Sequence, residues 1–394
     1  MIQKQQSARD VLSLRLRQEL VASLMQSGAI HSPAIQQAFL TVPREAFVPF
    51  FYQEDETSRR MAWVRVEAAQ CSPEEYLAHI YRNDPLVTKI DDRGWPKSSS
   101  SMPSAMGKML EALDVQPGQQ VLEIGTGSGY NAALLAHLSG AAHNIVTIEH
   151  DATLAAHARE ALEKVLGKGV AVVVGDGFLG YEQGGLYDRI IATASVPLLP
   201  RAWITQLQRG GKLVMDLQGS LASGFLVVEK LAERVIGHFL AEPLHFMPLE
   251  TEAVVVPEAN KATLLQQSCS ATFVLEKDHI FPGKLFDPSF RWFLQWRLPG
   301  CQVSKQRQRT RDAGAMLHSV FLVEPQRKSL VCLQQQEGEE QWHVAVYGLP
   351  SLWDDLLQAW NDFLSIGMPS QQQYQLVVEG ERLVLLVGPF RFSF

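Results

Sequence analysis

The sequence predicts an α/β protein: a Rossmann-like sheet, an N-terminal helical segment before it, and a C-terminal α+β domain after it. Three observations carry this. The apolar run Val121-Leu122-Glu123-Ile124 breaks into glycines at 125, 127 and 129, then resumes as a helical pattern from Asn131 to Leu138. That is the strand, tight turn and helix with which α/β sheets open a ligand crevice. Further β-rich runs end in polar positions, at Glu149, at Gly175-Asp176-Gly177 and around Thr193. Beyond about residue 250 the texture changes to short strand-like runs around one amphipathic helix, a pattern suited to antiparallel pairing. The expected divisions are 1–103 for a helical and substrate-loop region, 104–245 for the glycine-turn domain, and 246–394 for a C-terminal domain that recognises substrate.

Taken in order, residues from Val11 to Gln37 read as two short helices broken at Ser27-Gly28. Residues 52–83 are polar and charged, and read as partly loop and inserted. Apolar character returns at Pro85-Leu86-Val87-Thr88. The serines at 98–101 read as a loop before Met102-Pro103, and Ser104 to Leu113 as a helix. Strands are expected at Val121–Ile124, at Asn144–Ile148, at Val170–Val174, at Tyr187–Ala194 and at Gly211–Asp216, the last preceded by a helix holding Trp203 to Leu207. Further on, strands are expected at Ala253–Val256, Ser319–Val323, Ser329–Leu333, Trp342–Tyr347 and Leu383–Val387, with a helix near Trp353 to Ile366. The tryptophans at 203, 292, 296, 342, 353 and 360 read as core anchors, with Trp292 or Trp296 available to a peptide groove. Lys305 to Arg311 is the one dense basic run: a solvated face, or a dock for an acidic peptide.

Composition excludes several classes. A net charge of -7 over 394 residues argues against a nucleic-acid partner, which calls for a basic face. No apolar stretch approaches the roughly 18 residues that span a bilayer, and Met1 to Asp10 lacks the apolar core of a signal peptide. Cys71, Cys269, Cys301 and Cys332 are scattered without a C-x-x-C pair, which argues for reduced thiols, a cytoplasmic location and no zinc site. His137, His143, His150 and His157 read as edge or surface residues, His150 being placed to line a ribose pocket.

The glycine spacing narrows the ligand. A dinucleotide fingerprint requires its third glycine at position 130, where this chain has Tyr130. The order Glu123-x-Gly125-x-Gly127-x-Gly129 is instead the pattern of S-adenosylmethionine (SAM) methyltransferases. Glu149 lies twenty residues beyond Gly129, the place of an acid that accepts from both ribose hydroxyls. Asp176 is positioned to meet the adenine amino group. The expected cofactor contacts are Glu123, Gly125, Thr126, Gly127, Gly129, Asn131, Glu149, His150, Asp176, Gly177 and Thr193, with no metal and with S-adenosylhomocysteine as product.

The succession Pro43-Arg44, Phe47-Val48-Pro49, Ser101-x-Pro103, Val121 to Tyr130, Gly175-Asp176-Gly177 and Tyr187-Asp188-Arg189-Ile190-Ile191 resembles the protein-L-isoaspartate O-methyltransferase family over about residues 10–220. In that family a G-Q-T-I-S-x-P segment precedes the glycine turn, and its serine lies beside the methyl group and acceptor; Ser101 aligns with it. This chain differs at Lys97-Ser98-Ser99-Ser100. With the additional C-terminal domain, it is similar to a branch of methyltransferases paired with ATP-grasp (graspetide) and lanthipeptide maturation systems. That resemblance implies an aspartate side chain of a ribosomal precursor peptide as acceptor, a peptide maturase as partner, and a succinimide or isoaspartate as eventual product. The alternatives are a repair enzyme for isoaspartate in damaged protein, and a non-catalytic SAM-binding scaffold that holds a peptide.

The chemistry needs few groups. A carboxylate with a pKa near 4 is already an anionic nucleophile at neutral pH, so no general base is required. Alignment alone is worth roughly 7–11 kcal/mol of barrier. Ser101 is expected to hold the acceptor carboxylate, helped by Ser100 and Ser99.

Overall fold

The computed structural model describes residues 2–55, 62–232, 234–252, 261–276, 281, 283–309 and 316–393, with side chains from residue 8 onward. The strand expected at Ala253–Val256, and Thr310 and Arg311 of the basic run, lie outside these residues.

Helix α1 (Ile2–Gln26) and α2 (Pro33–Thr41) open the chain, broken where Gly28 adopts a left-handed φ of 72°. Within the polar stretch that reads as partly loop, the described residues include two strands and a helix as well as turns. Strands β1 (Phe50–Glu54) and β2 (Trp63–Glu67), helix α3 (Pro73–Ile80), β3 (Leu86–Ile90) and β4 (Pro96–Ser100) follow, and the strands form one antiparallel sheet in the order β2-β1-β3-β4. The serine run is therefore mostly a strand, not a loop. Its residues lack β-propensity, and pairing with β3 and a buried arginine supply the order. The region 1–103 is correspondingly a helical and β-sheet unit.

Helix α4 (Pro103–Leu113) leads to the central sheet: β5 (Val121–Ile124), α5 (Tyr130–Ser139), β6 (Ile145–Glu149), α6 (Ala152–Leu166), β7 (Ala171–Val174), β8 (Tyr187–Val196), α7 (Arg201–Gln206), β9 (Leu207–Gln218), β10 (Ser223–Lys230) and β11 (Val235–Phe239). Strands β7, β6, β5, β8 and β9 are parallel neighbours, and β10 and β11 continue antiparallel. All four residues of β5 are buried, as expected for a strand covered on both faces. The order reverses between β6-β5 and β8, which leaves a crevice at the carboxyl ends.

The C-terminal part holds α8 (Lys261–Leu265), β12 (Cys269–Leu275), α9 (Pro288–Arg297), β13 (Gln302–Arg309), β14 (Met316–Glu324), β15 (Ser329–Gln336), β16 (Trp342–Tyr347), α10 (Ser351–Ser365), β17 (Gln375–Glu379), β18 (Arg382–Val387) and β19 (Phe390–Ser393). Strands β12 to β16 form a five-stranded antiparallel sheet. The 246–394 division is crossed, however, because β17, β18 and β19 return to β11 and extend the central sheet to ten strands. Core packing explains the return. Trp292 is wholly buried and meets Phe239 edge-on at 4.9 Å, and a Cβ at Gly224 would sit 2.6 Å from its ring. Trp296 packs on Trp292 at 5.4 Å. Trp292 is therefore not free to line a peptide groove, while Trp296 is partly exposed. Among the described residues, no helix is long and apolar enough to cross a membrane.

Candidate active site

The glycine turn begins where β5 ends. Gly125, Gly127 and Gly129 all take left-handed φ values, of 92°, 52° and 84°, which a Cβ strains. The turn also leaves no room, since a Cβ at Gly125 would lie 3.2 Å from Thr193 Oγ1 and one at Gly127 3.3 Å from the Ser99 carbonyl. Bare backbone therefore faces a cavity of about 330 Å³ between the turn, the ends of β6 and β8, strand β4 and the segment 246–250.

Glu149 closes one side of it. Its Oε2 accepts from Gly127 N at 2.9 Å and its Oε1 from Asp151 N at 3.1 Å. Burial holds its pKa above the usual carboxylate value, against the lowering effect of those N–H groups. The acid that spacing alone singled out thus both shapes the turn and faces the cavity. Gly125, Thr126, Gly127, Asn131, His150, Gly177 and Thr193 also line it, as do Ser99, Ser100 and Ser101. Thr193 Oγ1 donates to the Gly125 carbonyl at 2.7 Å. Asn131 Oδ1 is buried with no hydrogen-bond partner among the described residues, an acceptor left for a ligand donor. A diol acceptor, an orphaned amide oxygen and a cradle without Cβ atoms together fit a nucleoside sulfonium of the SAM type.

Three expected contacts do not reach the cavity. Gly129 caps α5 and packs instead on Ala158 and Leu162. Asp176 is not among the residues lining the cavity; its Oδ1 accepts from Phe178 N at 2.9 Å and its Oδ2 from Thr251 Oγ1 at 2.7 Å, contacts that fix the turn after β7. Glu123 is wholly buried beneath the turn, accepting from Asn131 Nδ2 at 2.8 Å and Thr147 Oγ1 at 2.6 Å, while Thr147 in turn meets Thr126 Oγ1 at 2.7 Å. It supports contact residues and makes none itself.

Burial pushes the Glu123 pKa up to about 7, although its two hydrogen bonds lower it. The folded protein thus holds this proton more tightly than the unfolded chain. Its stabilising effect is complete below the unfolded value and is lost as pH rises through the folded one. Glu123→Gln is expected to flatten the fall in Tm between about pH 5 and 8, read by calorimetry; an unchanged slope contradicts this placement of the charge.

Opposite the turn stands β4, and sequence reasoning missed what holds it. Arg44, quoted only as part of a motif, is wholly buried. Its guanidinium donates to the carbonyls of Ile80, Arg82, Asp84, Ser100 and Ser101 at 2.9 to 3.2 Å, and to Ser100 Oγ at 3.2 Å. Burial lowers its pKa to about 10, which leaves it charged at neutral pH. Ser100, at 1% exposure, spends its oxygen on Arg44 and so steadies the strand. Ser99 and Ser101 line the cavity with hydroxyls that make no hydrogen bond among the described residues. Two ion pairs lie on the rim: Lys89 with Asp151, and Lys97 with Glu250 at 2.7 Å. The segment 246–250 was also missed; it is tied down by Ser195 N to the Met247 carbonyl and Phe246 N to Asp216 Oδ2, both at 2.8 Å. Its residues carry no motif, so only the fold brings them here. The described residues contain no cluster of three His, Cys, Asp or Glu side chains suited to a metal.

A parallel sheet with this strand-end crevice, an acid at the end of its second strand and a turn stripped of side chains defines a Rossmann-like, SAM-dependent methyltransferase. Residues 15–253 match the model of the family "Protein-L-isoaspartate(D-aspartate) O-methyltransferase (PCMT)", and the chain belongs to that family of carboxyl methyltransferases. It is 33% identical over 238 residues to the protein-L-isoaspartate O-methyltransferase of Ignicoccus hospitalis, covering 60% of this chain and 98% of that one. To that of Methanopyrus kandleri it is 33% identical over 241 residues, covering 61% and 93%. A solved protein-L-isoaspartate O-methyltransferase shares the fold with a TM-score of 0.54 at 22% identity, over 96% of this chain and 99% of that one. That likeness in fold reaches well past residue 253, into the C-terminal part.

Proposed function

We propose that this chain methylates the carboxylate of an isoaspartyl residue in a peptide or protein. The supporting observation is the pair of open hydroxyls, Ser99 and Ser101, on a strand fixed by Arg44 against the cavity that Glu149 and the glycine turn line. SAM, when bound, supplies a methyl group on a good leaving group. The protein's part is positional. Glu149 accepts from the ribose, Asn131 Oδ1 from the amino-acid end, and Ser101 donates to the acceptor carboxylate and holds one oxygen in line. No side chain removes a proton, because the acceptor is already ionised. In the ester, methanol is a leaving group: the neighbouring backbone nitrogen attacks the carbonyl carbon, methanol departs, and a succinimide forms without further help.

A second reading, an aspartate in a ribosomal precursor peptide with a maturase partner, draws on Lys97-Ser98-Ser99-Ser100 in place of G-Q-T-I. An isoaspartyl peptide, its linear aspartyl counterpart and a side-chain-cyclised aspartyl peptide, each incubated with SAM and followed by mass spectrometry, separate the two. Methylation of the isoaspartyl peptide is expected; methylation of the cyclised peptide alone replaces the first reading by the second. Ser101→Ala removes one hydrogen bond to a charged group, worth about 1.5–3 kcal/mol. Turnover is therefore expected to fall roughly 10- to 100-fold, with S-adenosylhomocysteine affinity retained. Unchanged turnover contradicts the role of Ser101.

A further inference from the structure

Strand β4 leads outward from Ser101 to a feature the reaction does not use. Along it and at its end, Lys97 to Ser101 all border the cavity; Ser98 and Ser100 are buried, while Lys97, Ser99 and Ser101 keep some exposure. Just beyond, on the β3–β4 turn, Trp95 is 57% exposed. The turn is well fixed: Asp91 Oδ1 accepts from Arg93 N and Trp95 N at 2.9 and 2.8 Å, and Trp63 Nε1 donates to the Gly94 carbonyl at 2.7 Å. Asp91 and Lys97, on either side of Trp95 in the chain, border the cavity; a large aromatic held on such a fixed turn exposes apolar area that a ligand can cover at little ordering cost. Next to it, Lys97 pairs with Glu250, both side chains being nearly half exposed. Such a pair contributes little to stability and is readily exchanged for a charge on a ligand.

We propose that Trp95, with Lys97 beside it, is a distal subsite for one flank of the substrate polypeptide, running extended along β4 from the acceptor at Ser101. This rests on the isoaspartyl-methyltransferase reading. At about 3.3 Å per residue the six steps from 101 to 95 span at most roughly 20 Å, the ladder being irregular between Pro96 and Ser99, so Trp95 meets an apolar side chain up to about six residues from the acceptor. These positions lie in and beside the segment where the chain departs from its family's pattern.

The test uses fluorescently labelled isoaspartyl peptides with S-adenosylhomocysteine present. One is truncated next to the acceptor; two others carry a flank ending in phenylalanine about six residues away, on either side in turn. Affinity is read by anisotropy and methyl transfer is measured separately. One flanked peptide is expected to bind more tightly than the truncated one. Trp95→Ala is expected to remove that gain, a loss of roughly tenfold, with Trp95→Phe keeping most of it and the truncated peptide unaffected. Equal binding of flanked peptides by wild type and Trp95→Ala, or no binding of any peptide, overturns the subsite. Trp95-dependent binding without methyl transfer leaves the subsite standing and removes the activity; methyl transfer with no Trp95 dependence does the reverse.

Discussion

Glu149→Ala is expected to abolish useful binding of SAM and its product, weakening S-adenosylhomocysteine roughly 100-fold or more in calorimetry. Two contributions are lost together. Hydrogen bonds to a charged acceptor are worth about 1.5–3 kcal/mol each, and the ligand's ribose loses its acceptors. The Oε2 contact that fixes Gly127 N also disappears, so the turn is no longer held in the shape that the ligand meets. The loss of stability should be smaller than that of two hydrogen bonds, since burial already disfavours this carboxylate's charge. Glu149→Gln keeps the shape and one acceptor oxygen, and should fall between wild type and alanine. Affinity for Glu149→Ala within a few fold of wild type would place the ribose elsewhere.

Arg44→Met should be the most destabilising single change in the site. It leaves the carbonyls of Ile80, Arg82, Asp84, Ser100 and Ser101 without this donor, and the contacts to Ile80 and Ser100 are buried. Each buried group left unsatisfied costs about 1–3 kcal/mol, against a total stability of about 5–15 kcal/mol for a typical protein. Arg44→Lys restores charge but not the planar fork that reaches several carbonyls at once. It should melt well below wild type and lose methyl transfer more than cofactor affinity, because β4 loosens while the glycine turn stays intact. A lysine variant with wild-type Tm and turnover contradicts the role given to Arg44.

The parts of the site legible in the sequence are those set by local backbone rules. Gly125, Gly127 and Gly129 declare a turn that needs left-handed φ, and Glu149 declares itself by ending the next strand. Asp176 also follows a strand, but its carboxylate ties the turn to Phe178 N and to Thr251, 75 residues away, a contact no local rule encodes. Strand β4 was illegible because Pro96-Lys97-Ser98-Ser99-Ser100 has neither apolar alternation nor β-branched residues; distant carbonyl contacts with Arg44 make it a strand. The strand-type runs Phe50-Phe51-Tyr52 in β1 and Trp63-Val64-Arg65-Val66 in β2 are short and set among charged residues, so the stretch reads as loop. The division at 246 missed β17 to β19 because their pairing with β11 joins segments more than 130 residues apart, as in Ile236 with Val377, which no local pattern encodes. The buried Trp292 likewise gave no local sign of which surface it would cover.

The most direct measurement is of the bond that forms. The wild-type protein, an isoaspartyl peptide and SAM labelled in its methyl group should yield a peptide whose label is released as methanol by mild alkali, the signature of a carboxyl methyl ester. Tight binding of S-adenosylhomocysteine by folded protein, with no base-labile label on any isoaspartyl or aspartyl peptide, would contradict the placement of donor and carboxylate in one cavity.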